Sequence, residues 1–294
     1  MTRDTNIAER TGATGSRVPS WVWGAAAFVA LAIAVYHDMF ATLWRTWGDN
    51  PNYSHGYLIP PVTALLLLRV RKEFAGARGR GSVLGLVVIV AALAGHLLSI
   101  RAGVFMTQGY SFVLLLLGCV VFLFGTGAFK LTWFPIGYLV FMLPMPPIFI
   151  DEASFRLKVF AAKAGSAIAH RLGIPLARTG MTIHLPAGSL RIADPCSGLR
   201  SLIALVAHGA LFAYLTEGPL WKRVVLFLCA IPLAVLANIV RISVLCAVAN
   251  AAGIDAALGF FHDFSGLLLF VIALVGLAVV RKLLRIGDSG RETA

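Results

Sequence analysis

Long apolar runs separated by short polar or basic breaks fill most of the chain. A helix needs about 20 apolar residues to cross a hydrocarbon core of about 30 Å. Eight segments meet or approach that length: residues 21–36, 57–70, 83–100, 104–124, 132–150, 197–215, 224–248 and 264–280. The second is short, and Pro144, Pro146 and Pro147 break the fifth. The pattern predicts an all-α polytopic membrane protein with about eight transmembrane helices.

One sizeable segment, residues 151–194, interrupts this rhythm before the sixth span. Its first half, DEASFRLKVFAAKAGSAIAHRLG, mixes basic and apolar residues at helical spacing, as an interfacial helix does. Its second half carries two short alternating runs, residues 181–185 and 189–193, around a Pro-Ala-Gly turn, which predicts a β-hairpin. The expected organisation is a cytoplasmic tail over residues 1–20, a single transmembrane domain over 21–283 that carries this small extracytoplasmic helix and hairpin, and a tail over 284–294. Residues 1–20 are polar and no small-residue cleavage site follows the first apolar run, so the first span is expected to stay in the mature protein.

Composition agrees with that picture and orients it. Hydrophobic residues make up 59% of the chain and charged ones 13%, with mean hydropathy +0.86; a soluble domain of ordinary composition carries about twice the charge. The 25 Lys and Arg against 13 Asp and Glu punctuate hydrophobic runs, which points to anionic membrane lipids as partners and away from nucleic acid. With the N-terminus inside, fifteen of the 25 basic residues fall on the inner side. The positive-inside rule then makes both termini cytoplasmic.

That topology delivers three reactive side chains to the outer side. Asp194-Pro195-Cys196 reads as N-cap, first helical residue and first-turn residue of the sixth span, where the helix N-terminus favours a thiolate. Arg241, in NIVRISVL, sits in an apolar run where a charge costs about 2.5–3.5 kcal/mol on insertion scales, so a cavity or polar partner is expected to meet it; Asn238 shares its face. His262, in GFFHDFSG, precedes the eighth span and can move protons near neutral pH, with Asp263 as its neighbour or as the span's cap. Arg200 follows Cys196 by four residues, and His55, in NYSHGYLIP, lies on the same side. Cys119, Cys229 and Cys246 read as small buried or lipid-facing residues. No histidine shows metal-ligand spacing, and no cofactor is expected.

In this order, NYSHGYLIP (52–60), FMLPMPP (141–147), CSGLRSL (196–202), IPLAVLANIVRI (231–242) and HDFSG (262–266) resemble the exosortase/archaeosortase family of membrane transpeptidases over roughly residues 20–280. The resemblance implies cleavage of C-terminal sorting signals on exported proteins: a Pro-Glu-Pro-type motif, a transmembrane helix and a basic tail. It implies Cys196 as nucleophile, Arg241 as electrostatic stabiliser and His262 as acid/base, with Asn238, Arg200, Ser197, His55 and Asp263 binding substrate or supporting. It also implies a bacterial inner-membrane location, a periplasmic active site and an acceptor nucleophile of unknown identity. Asp194-Pro195 stands where the family often has a Glu-Ala-like pair. The competing readings are a transporter, or a lipid-linked-sugar enzyme, in which Arg241 lines the substrate path.

Overall fold

The computed structural model describes residues 20–192 and 198–286; the side chains of residues 20–26, 147–149, 153, 260, 262 and 263 lie outside that description. Both polar tails lie outside it too, as does the 193–197 segment with Asp194, Pro195, Cys196 and Ser197. In chain order come α1 (Ser20–Val35), α2 (His37–Asp49), a 3-10 segment (Pro51–Leu58), α3 (Ile59–Arg69), α4 (Arg71–Gly76), α5 (Val83–Ala102), α6 (Phe105–Gly137), a second 3-10 turn (Tyr138–Met142) and α7 (Pro147–Arg171). Strands β1 (Ala177–Thr179), β2 (Thr182–Leu185) and β3 (Gly188–Arg191) follow, then α8 (Leu199–Leu215), α9 (Leu220–Leu228), α10 (Ala230–Ala252), α11 (Ile254–Leu258) and α12 (Phe260–Leu283).

The chain is a multi-pass helical membrane protein. Four helices are long and apolar enough to cross a bilayer, namely Val83–Ala102, Phe105–Met142, Leu220–Ala252 and Phe264–Leu283; the pair Ala27–Val35 and His37–Asp49, bent by 67°, makes a fifth if it counts as one crossing. That is fewer than the eight of the hydropathy pattern, for local reasons. The second expected span holds only the 11-residue α3, and the sixth is the apolar but 17-residue α8. The fourth and part of the fifth fall within one unbroken helical assignment.

That last merger conceals a reversal. Within α6 only Gly125 has non-helical backbone, at φ 79° and ψ −177°, a region open essentially to glycine. Leu143, beyond the end of α6, packs its side chain against Gly109 near its start. In a straight helix of 33 residues those ends would stand about 50 Å apart, so the chain turns back at Gly125. The loop before α5 clasps this turn: the amides of Gly79 and Ser82 donate to the carbonyls of Phe124 (3.0 Å) and Val121 (3.2 Å).

The C-terminal helices form an antiparallel set joined by close approaches. Gly198 lies against Asn238, Gly209 against Ala230, and Gly276 of α12 against Leu233 of α10. At one end of this set basic side chains cap the last turns. The Arg223 guanidinium donates to the carbonyls of Ala213 (2.8 Å) and Tyr214 (3.0 Å), and Lys222 Nζ to that of Leu284 (2.7 Å), a placement that also suits the negative end of each helix dipole. Fifteen residues of near-continuous helix separate Arg223 from Asn238, so Asn238 lies about 22 Å from that basic end.

At the opposite end α7 runs along the C-terminal half of α10, with Gly165 against Ile242 and Ser243 Oγ donating to the Gly165 carbonyl at 3.2 Å. The expected hairpin is β2–β3, with Leu185 paired to Gly188 across the Pro186-Ala187 turn. A third strand, β1, adds to its edge in the order β1-β2-β3. Ile183, Leu185, Leu190 and Ile192 bury one face of the sheet against Leu245, Cys246 and Ala249 of α10.

At Gly125 the backbone conformation excludes a side chain and a Cβ would stand 2.6 Å from the Arg80 carbonyl. Gly125→Ala is therefore expected to lower unfolding free energy by roughly 1–3 kcal/mol, read as a depressed melting temperature in detergent. Gly76→Ala, where a Cβ meets nothing within 4 Å, is the control; equal effects at both positions would contradict the reversal.

Candidate active site

The centre of the site is the Asn238–Arg241 stretch of α10. The helix is apolar along most of its length, yet Asn238 is 7% and Arg241 8% exposed, so both polar groups are held among protein. They line a narrow crevice between α8, α10 and α12 whose other walls are Ser201, Leu205, Ala234, Ala237, Gly266 and Ala273 among others. Small residues make the approach possible. A Cβ on Gly266 would sit 3.3 Å from Nη2 and 3.5 Å from Cζ of Arg241, so the bare α12 backbone lies in contact with the guanidinium. Ser265 beside it is buried as well.

His262 lies one turn before Gly266, within α12. The helix thus begins earlier than expected, with Gly259 as its N-cap. Asp263 is inside the first turns and is not the cap of the span, a correction to the sequence reading; Phe260 and Phe261 extend the helix through residues that read as loop.

The described part of α8 starts at Leu199, with Gly198 as its N-cap in left-handed backbone, φ 75° and ψ −2°. The helix start expected at Asp194-Pro195-Cys196, and Ser197 after it, lie outside the described residues. What the described chain fixes is the anchor two residues on: a Cβ on Gly198 would stand 2.6 Å from both Cγ and Nδ2 of Asn238, and a second crevice, walled by Leu157, Ala161, Leu202, Ala234 and Val235, opens at this contact.

The 3-10 segment with His55 meets the same end of α8. Arg200 donates from Nη2 to Ser54 Oγ at 3.3 Å. Together with Trp47 near the end of α2, the segment also holds the end of the second 3-10 turn and the proline-rich stretch that follows it. Trp47 Nε1 donates to the Met142 carbonyl (2.9 Å), His55 Nε2 to the Phe141 carbonyl (3.1 Å), and the Met145 amide donates to Tyr53 Oη (3.2 Å). Backbone groups outside helices need such partners where water is scarce. Trp47 and Tyr53 went unnoticed in the sequence, where only their aromatic neighbourhood and the NYSHGYLIP motif marked the segment.

The acceptor at Phe141 sets the His55 tautomer: Nε2 carries the hydrogen, and Nδ1 is buried without a well-formed hydrogen bond. Burial pulls the imidazole pKa below its ordinary 6.5, against the carbonyls of Phe141 and Asn52 and in concert with His208 and Arg200. Neutral His55 thus contributes stability that is fully present above about pH 6.5 and is lost as pH falls through the depressed folded value. The melting temperature of the wild type in detergent is expected to drop between pH 7 and pH 5, and His55→Gln to flatten that part of the profile. Profiles of the same shape for both proteins would contradict this.

The described geometry places the Gly198–Asn238 and Gly266–Arg241 contacts on one stretch of α10, with Arg200, Ser54 and His55 near the head of α8. Among the described residues no cluster of three His, Cys, Asp or Glu is arranged to hold a metal ion. No curated protein and no solved structure matches the chain. A family model described as transmembrane exosortase (Exosortase_EpsH) matches residues 47–279, a stretch that contains every residue just named. The chain is therefore a member of the transmembrane exosortase family.

Proposed function

We propose that this protein is a membrane cysteine transpeptidase that cleaves C-terminal sorting signals of exported proteins and passes them to an acceptor through a Cys196 thioester. The observation that carries this reading is the meeting of two glycine contacts on one stretch of α10. Gly198, two residues after Cys196, abuts Asn238, and Gly266, four residues after His262, abuts Arg241. These two contacts support a reading in which the three reactive positions share one end of the helix set.

In this reading the Arg241 guanidinium favours the thiolate. The thiolate attacks the scissile carbonyl carbon, and the oxyanion that forms is held by Arg241, a kind of donor that contributes about 2.7–4 kcal/mol elsewhere. The C–N bond then breaks as His262 gives a proton to the departing amine of the substrate helix, leaving a thioester. The acceptor nucleophile loses its proton to His262, attacks the thioester and restores the thiolate. When water attacks instead, the result is hydrolysis. Ser197, Arg200, His55 and Asp263 support substrate or the local fold.

Topology fits the same reading. The end carrying Lys222, Arg223, Arg281 and Lys282 is cytoplasmic by the positive-inside rule, the two tails lie there, and the site faces the periplasm from the bacterial inner membrane. The reversal at Gly125, together with α3 and α8 as short crossings, accommodates eight passes within one catalytic domain. A substrate helix lying beside α8, α10 and α12 keeps its basic tail at the basic end and its Pro-Glu-Pro-type motif at the height of Arg241.

Cys196→Ala is expected to abolish processing of exported proteins that bear a C-terminal helix and basic tail, followed by intact mass. Arg241→Gln is expected to slow it about 100- to 1,000-fold. Normal processing in Cys196→Ala would remove the peptidase reading.

A further inference from the structure

We propose that Asn238 is a positioning residue whose carboxamide seats the left-handed turn at Gly198, and so sets where the chain entering α8 stands relative to Arg241. The inference rests on the reading of Cys196 as the nucleophile and gives a specific role to a residue expected only to support the site or share the face of Arg241. Three observations support it. Gly198 holds φ 75° at the head of α8, and the Asn238 side chain fills the space a Cβ would occupy there, with Cβ at 2.9 Å and Cγ at 2.6 Å. Asn238 is 7% exposed, so this contact is made among protein. It is also shared by the linings of both crevices, one reaching Arg241 and Gly266, the other Leu157 and Ala161.

The consequence is mechanical. Leu202 donates its amide to the Gly198 carbonyl at 2.8 Å, so the first turn of α8 hangs from this glycine, and the preceding chain enters through it. Shortening Asn238 opens the two crevices into each other and frees the turn to shift. Adding a methyl at Gly198 forces the turn away from Asn238 from the other side. Both changes act on one contact, so their effects are expected not to multiply.

The test measures the thiol itself. In a protein whose Cys119, Cys229 and Cys246 are replaced by Ser, modification of Cys196 by a membrane-impermeant maleimide is followed from pH 5.5 to 9.5. Asn238→Ala is expected to raise the pH midpoint by about one unit and slow modification at pH 7 about tenfold, since the thiolate fraction falls tenfold per unit. Peptide processing is expected to lose kcat with KM within about twofold. Gly198→Ala is expected to do the same, and the double variant to be no slower than Gly198→Ala alone. Asn238→Ala with an unchanged midpoint and rate per folded molecule, or multiplicative effects in the double variant, would overturn the proposal. Because labelling needs no substrate, this outcome is separable from failure of the peptidase reading, which is decided by processing in Cys196→Ala.

Discussion

An arginine well along an apolar helix constrains everything packed around it. Placed in hydrocarbon, the guanidinium of Arg241 would cost about 2.5–3.5 kcal/mol on insertion scales, so neighbouring helices must bring it polar surroundings while excluding lipid. Here α8 and α12 do so by approaching α10 through small residues: Gly198 and Gly209 lie where a side chain would collide, and Gly266 leaves only tight room beside the guanidinium. Lipid offers little hydrophobic driving force between helices, and close backbone approach at small residues supplies the packing instead. The location of the site follows from the location of the charge.

The rest of that end obeys a related constraint. Prolines 144, 146 and 147 cannot continue a helix or donate backbone hydrogen bonds, so backbone groups at and just before them require side-chain partners. Trp47 and His55 hold the carbonyls of Met142 and Phe141, and Tyr53 accepts from the Met145 amide. The end of α2 and the segment linking it to α3 thus brace this stretch, and through Ser54 and Arg200 the segment reaches the head of α8. At the other end the same problem, helix termini without partners, is solved by Arg223 and Lys222. The two ends therefore differ in chemistry as well as in charge.

Much of this was legible in the sequence because long apolar runs and a Pro-Ala-Gly turn have few structural solutions. The hairpin forms around the expected Pro-Ala-Gly turn, and Asn238 and Arg241 share a buried face as their spacing requires. Shorter signals misled. Gly198 takes a left-handed conformation at the head of α8 that local composition does not announce. Asp263 reads as a cap because it stands just before the apolar run that opens at Phe264. Met39, Leu43 and Trp47, buried on one face of α2, follow a four-residue spacing that the polar His37, Asp38, Arg45 and Asp49 obscured. β1 has three exposed residues and no alternating apolar pattern. The turn at Gly125 depends on the loop before α5, a long-range contact that no window of sequence contains.

Taken together, the site is an assembly of helix ends, each simple in itself, whose chemistry depends on their meeting at one height in the membrane. The most direct test is oxidative cross-linking in native membranes. In a protein lacking Cys119, Cys229 and Cys246, native Cys196 is paired with a cysteine introduced by His262→Cys, or by Gly276→Cys three to four turns deeper in α12. Rapid disulfide formation with position 262 and none with position 276 is the result predicted; equal cross-linking at both, or none at position 262 while both thiols remain reactive, would contradict the account.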